Sequence, residues 1–140
     1  MVLGDTIQTV GVPVRIFKTK WFSRFARQEG IDDAKLVEAV QNLENGLVDA
    51  DYGGGLIKQR IAREGEGKSG GYRGIIAFKS GTRSIFVFAF PKNEKENLTK
   101  IEVREYKKAA AIYFKMTEAQ ISLAIEKNEL IEVKYDAKKI

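Results

Sequence analysis

The spacing of apolar residues along this chain starts helical, shortens to a period of two, and then lengthens again. Trp21, Phe22 and Phe25 follow Thr19 at helical spacing, so Thr19 to Glu29 reads as a short amphipathic helix ended by Gly30. Asp32 and Asp33 are helix starters, and behind them Leu36, Val40, Leu43 and Leu47 recur at i, i+4, i+7 and i+11. The two runs form a helical hairpin whose Trp21 and Phe25 stripe is expected in the core. Ahead of them residues 1–13 carry no pattern and read as a flexible lead-in or a short edge strand, while Val14 to Phe17 fits a first strand.

Gly53-Gly54-Gly55 breaks the helical pattern. Leu56 to Arg63 then alternates, with Lys58 and Arg60 on one face and Ile57 and Ile61 on the other. Tyr72 to Phe78 and Ser84 to Phe90 are β-rich runs joined by the turn Lys79 to Arg83. Both are apolar on both faces, which predicts central strands with helices packed against one side. Thr99 with Glu102, and Thr117 with Gln120, are capping boxes that open helices running to about Met116 and about Asn128. Leu130 to Val133 fits a last strand, and residues 135–140 read as a frayed tail. This order predicts an α+β fold in a single domain, residues 14–134. Its N-terminal helical hairpin packs on an antiparallel-rich sheet of about four strands. C-terminal helices follow, with 117–134 as a C-terminal extension.

Composition narrows the chemistry. The 140 residues contain no cysteine and no histidine, which removes thiolate zinc sites, cysteine nucleophiles and the usual general base near neutral pH. Acid–base work must fall to Lys, Tyr, Asp or Glu, and neither a metal nor a cofactor is expected. No apolar run is long enough to span a bilayer, and the start lacks the pattern of a secretory signal. A cytoplasmic protein with no membrane partner is the expectation.

Charge adds a location. Residues 51–92 hold eight Lys or Arg against three acids, a surplus of 8 − 3 = +5 that equals the net charge of the whole chain. Such concentration is the footprint of a surface that meets phosphates. Within it, Gly65-Glu66-Gly67-Lys68-Ser69-Gly70 matches the dinucleotide fingerprint, and Ala62 to Ser69 falls one residue short of a P-loop. Both motifs need a strand that leads into a helix, whose amides hold the phosphate. Here the bend leads into the strand-like run from Tyr72, so it reads as a hairpin connection with Lys68 near its tip.

Lys58 and Arg60 project from one strand face, Arg73 begins the next strand, and Lys92 and Asn93 end the one after it. If these strands pair in order, the basic groups converge where they can hold a phosphodiester and neutralise charge developing during phosphoryl transfer. Lys58, Arg60, Arg73 and Lys92 are the candidate catalytic residues. Arg63, Lys68, Tyr72 and Asn93 are candidate RNA contacts. Spacing alone leaves open a merely solubilising basic face, with Tyr72 as a packing residue.

The segments Leu56 to Ile61, Gly67-Lys68-Ser69-Gly70-Gly71-Tyr72-Arg73 and Phe88 to Glu94, behind a helical hairpin, resemble the RelE superfamily, most nearly its HigB-type toxins. The resemblance covers about Val14 to Met116. It implies a toxin that enters the ribosomal A site and cleaves mRNA without a metal. The RNA's 2′-hydroxyl would attack, leaving a 2′,3′-cyclic phosphate, and a cognate antitoxin would block the site. Lys58 and Arg60 match the family's paired basic strand positions, and Arg73 matches an arginine that contacts the scissile phosphate. Asn93 stands where the best-studied members carry arginine, and Thr99 where they carry tyrosine. The proton-transfer half is therefore unassigned, with Lys58, Lys68 and Lys92 as candidates. Two other readings remain: a ParE-like toxin that binds DNA gyrase, and a plain nucleic-acid-binding module.

Overall fold

The computed structural model describes residues 14–62 and 71–135. The lead-in 1–13, the glycine bend with Arg63 and Lys68, and the tail beyond Tyr135 lie outside the described residues. The elements are β1 (Arg15–Thr19), α1 (Lys20–Glu29), α2 (Asp33–Glu44), β2 (Ala50–Gly53), β3 (Leu56–Ile61), β4 (Tyr72–Lys79), β5 (Arg83–Pro91), α3 (Lys100–Lys115), α4 (Glu118–Glu126) and β6 (Leu130–Glu132). Helix starts are set locally. Thr19, Asp32, Thr99 and Thr117 each accept a backbone N–H at their N-cap, and the latter two complete reciprocal capping boxes.

The strands form one sheet in the order β2-β3-β4-β5-β1-β6. β1 runs parallel to β5, and the other pairings are antiparallel. Six strands stand where about four were expected. β2 is the one that the sequence pattern hid, being four residues long and half-exposed at an edge. The glycine run that was read as a break is the turn joining β2 to β3.

Helices cover both faces of this sheet, which corrects the expectation of one covered side. Phe22, Ala26, Leu36, Val40 and Leu43 of α1 and α2 pack with Ile57, Ile61, Tyr72, Ile76 and Phe86. Ala110, Ile121 and Ala124 of α3 and α4 pack with Phe17, Leu56, Ile75, Ala77 and Ile85 on the other face. Strands apolar on both faces require this, since successive side chains point to opposite sides. Two stripe residues also leave the expected core. Leu47 lies beyond the end of α2 and is exposed. Trp21 is 43% exposed and stacks on Phe25 with ring centroids 5.2 Å apart, its other neighbour being Phe88 at 4.8 Å. No helix among the described residues is long and apolar enough to cross a membrane.

Residues 117–134 fold onto the same sheet. α4 buries Ile121 and Ala124, and β6 pairs with β1. Arg83 Nη1 donates to the carbonyls of Tyr113 at 2.8 Å and Met116 at 3.0 Å, and its Nη2 donates to Glu118 at 3.1 Å. One buried guanidinium thereby satisfies carbonyls left over at the end of α3. Arg15 clamps Glu132 through Nε at 2.9 Å and Nη2 at 3.0 Å.

That hydrogen bond holds the Glu132 carboxyl below the ordinary carboxylate range, against the opposing push of burial. A native-state pKa below the unfolded one contributes stability above the unfolded pKa, and the contribution is lost as pH falls through the native value. Melting temperatures of the wild type should therefore fall more steeply below about pH 4.3, the ordinary glutamate value, than those of Glu132→Gln. Parallel pH profiles for the two proteins would show that the Arg15–Glu132 clamp adds nothing to folding.

Candidate nucleic-acid interface

The pairing of β3 with β4 decides which basic residues meet. Arg60 stands opposite Arg73 and Lys58 opposite Ile75, so Lys58, Arg60 and Arg73 share the sheet face covered by α3. The strands pair in sequence order, and the convergence expected of these three residues is present. Like charges directly opposite across a ladder repel. The structure offsets this with a carboxylate that the sequence reading did not single out.

Asp49, in the loop between α2 and β2, places Oδ2 at 3.3 Å from Arg73 Nε and 3.5 Å from Lys58 Nζ. Arg73 Nη1 also donates to the Tyr72 carbonyl at 3.3 Å. Lys58 Nζ donates to Asn97 Oδ1 at 2.7 Å and to the Glu96 carbonyl at 3.1 Å. The Arg73 side chain is 6% exposed, that of Lys58 12% and that of Asp49 28%. Arg60 is exposed. The site is thus a carboxylate wedged between two mostly covered cations with a third cation open to solvent, and not an open basic plate.

Gln59 holds the wedge in place from the opposite face of β3. Its Oε1 accepts the Asp49 backbone N–H at 3.1 Å, while its Nε2 donates to the carbonyls of Leu47 at 2.8 Å and Ala39 at 3.4 Å. A buried amide satisfied on both ends ties the end of α2 and its loop to the strand that carries Lys58 and Arg60. Two strand neighbours, one per face, therefore divide the labour: Gln59 fixes the loop and Lys58 meets its carboxylate.

Lys92 and Asn93 follow the end of β5, are exposed, and line an open depression of about 490 Å³ with Glu94, Lys95 and Glu96. Lys92 forms no ion pair among the described residues; its backbone N–H donates to Gly71 at 3.2 Å. Tyr72 is buried on the other face, where its hydroxyl donates to Glu29 Oε1 at 2.6 Å. That is the packing position expected of a strand residue adjacent to Arg73. Arg63 and Lys68 lie outside the described residues.

Sequence reasoning missed Asp49 and Asn97. A signal for Asp49 existed: a short run, a Gly-Gly turn and an alternating strand spell a hairpin. Folding the chain back at Gly54-Gly55 brings residues 49–51 beside Lys58, and a register shift between Asp51 and Gly53 then sets Ala50 opposite it, with Asp49 next to it. No comparable signal marks Asn97, which reaches Lys58 across 39 residues.

An arginine fork beside a lysine is suited to a phosphodiester, and the exposed Arg60 extends that charge to solvent. No cluster of three or more potential metal ligands occurs among the described residues. The chain matches no curated protein in the comparison made. Residues 14–133, spanning both helical layers and the whole described sheet, match the family described as the RelE toxin of the RelE / RelB toxin-antitoxin system. The chain belongs to that family, the toxin half of a toxin–antitoxin pair.

Proposed function

We propose that this toxin is an endoribonuclease of the HigB-like branch that cleaves mRNA in the ribosomal A site and so blocks translation. It needs no metal: the RNA's own 2′-hydroxyl attacks the adjacent phosphorus and leaves a 2′,3′-cyclic phosphate. The observation that carries the reading is the convergence of Lys58, Arg60 and Arg73 on one sheet face. Arg73 is anchored through Nε and Nη1, and its Nη2 makes no hydrogen bond to the described residues. A guanidinium already fixed in place loses little freedom when a phosphate arrives. An antitoxin offering acidic or apolar groups to this face would compete with RNA for the same cations.

Primer extension on a defined mRNA, with and without translating ribosomes and with EDTA controls on free RNA, tests this. The expected result is cleavage only on ribosomes, with a 2′,3′-cyclic phosphate at the new end. Folded protein that leaves ribosome-bound mRNA intact would move the function to a binding target such as gyrase.

A further inference from the structure

We propose that Asp49 is the general base of the cleavage step, accepting the proton of the attacking 2′-hydroxyl. The inference rests on the ribonuclease reading above and assigns its missing proton-transfer half to a residue outside the lysines expected from sequence.

Geometry and chemistry both select Asp49. The 2′-oxygen lies next to the phosphate that it attacks, so its base must sit beside whatever holds that phosphate. Among the described residues Asp49 is the carboxylate ion-paired to Arg73. Histidine is absent from the chain, and an ammonium such as Lys58 carries donors and no acceptor. The two carboxylate oxygens are also unequal. Oδ2 is held between Arg73 and Lys58, whereas Oδ1 accepts no hydrogen bond from the described residues and the side chain is 28% exposed. One oxygen is an anchor and the other is open to substrate. Gln59 fixes the backbone behind it through the 3.1 Å bond from the Asp49 N–H.

The step balances in atoms and charge. The 2′-O–H bond breaks and its proton moves to Asp49 Oδ1. The 2′-oxygen bonds to phosphorus, the P–O5′ bond breaks, and the 5′-oxygen takes a proton from solvent water. Asp49 then returns its proton to solvent. The wedge makes this transfer productive. While Asp49 is ionised, it shares the charge of Arg73 and Lys58. Once it takes up the proton its negative charge has moved, in effect, to the phosphoryl oxygens, and both cations are released to stabilise them. Interactions that strengthen as the transition state forms are the ones that accelerate a reaction.

The test compares wild type, Asp49→Asn, Asp49→Glu and Asp49→Ala in single-turnover cleavage of ribosome-bound mRNA. Each folded variant is checked by its melting curve and its affinity for the ribosome–mRNA complex. Asp49→Asn should cleave about 10²-fold more slowly while binding as tightly as wild type or more tightly, since it removes a negative charge. Asp49→Glu should retain part of the activity. Formate, acetate and propionate should rescue Asp49→Ala in order of basicity, and chloride should not. Wild-type cleavage by Asp49→Asn would overturn the assignment and leave the ribonuclease reading standing. So would a loss of affinity as large as the loss of rate, or rescue by any anion, both of which mark a merely positioning carboxylate. Absence of cleavage by the wild type would overturn the reading and the assignment together.

Discussion

Arg73→Ala is expected to cleave ribosome-bound mRNA about a thousandfold more slowly than wild type, the loss typical of removing a preorganised donor at developing negative charge. The magnitude follows from how the side chain is held. Nε faces Asp49 at 3.3 Å and Nη1 the Tyr72 carbonyl at 3.3 Å, so the guanidinium plane is fixed before RNA arrives. Lysine in its place offers one point charge and cannot hold the carboxylate and a phosphate in the same fork. Arg73→Lys should therefore recover little of the rate. Stability should change far less than activity. Asp49 keeps Lys58 at 3.5 Å and partial access to water, so the cost should lie near 1–2 kcal/mol and not at the 3–5 kcal/mol of a fully buried broken pair. A folded Arg73→Ala protein that cleaves at the wild-type rate would place the phosphate site elsewhere on the sheet.

The pairing of Arg73 with Asp49 also shows where sequence reading stopped. The caps at Asp32, Thr99 and Thr117 were legible because a cap is a local competition between one side chain and the next three backbone N–H groups. Lys58 and Arg60 were legible as a pair because alternation alone puts them on one face. Arg73 joined them only if the strands paired in order, which they do. What the chain pattern hid was long-range. Trp21 keeps helical spacing with Phe22 and Phe25, but its rotational position on α1 sets it against Phe88 at a partly open rim. The charge count over residues 51–92 gave +5 and stopped two positions short of Asp49. That acid neutralises the centre of the cluster, and its place there depends on a hairpin turn and a buried glutamine. Net charge along a sequence locates a surface; the pairing within it needs the fold.

Gly55→Ala should be among the most damaging single substitutions for stability, at about 2–4 kcal/mol, and its effect should reach the site. Gly55 sits in the β2–β3 turn with φ +82°, where a side chain is strained, and its carbonyl accepts the Phe78 N–H at 2.8 Å. A Cβ there would stand 2.5 and 2.7 Å from ring carbons of Phe114 on α3, and 3.2 Å from the Phe78 carbonyl oxygen. Left-handed strain alone costs about 1–2 kcal/mol; displacing a packed ring adds the rest. Gly46 supplies the control, having φ +85° with nothing within 4 Å of its added Cβ. Gly46→Ala should lower the melting temperature by a few degrees and Gly55→Ala by about 10 °C. Adding Phe114→Ala to Gly55→Ala should cost less than the two single effects summed, because the clash then has no partner. The turn, with the register shift beside it between Asp51 and Gly53, sets Ala50 opposite Lys58. Cleavage by the Gly55→Ala protein should thus fall at temperatures where it is still folded, as Asp49 shifts against Lys58 and Arg73. Equal melting temperatures for the two alanine variants would mean that α3 does not press on this turn, and the path from helix to site would have to run elsewhere.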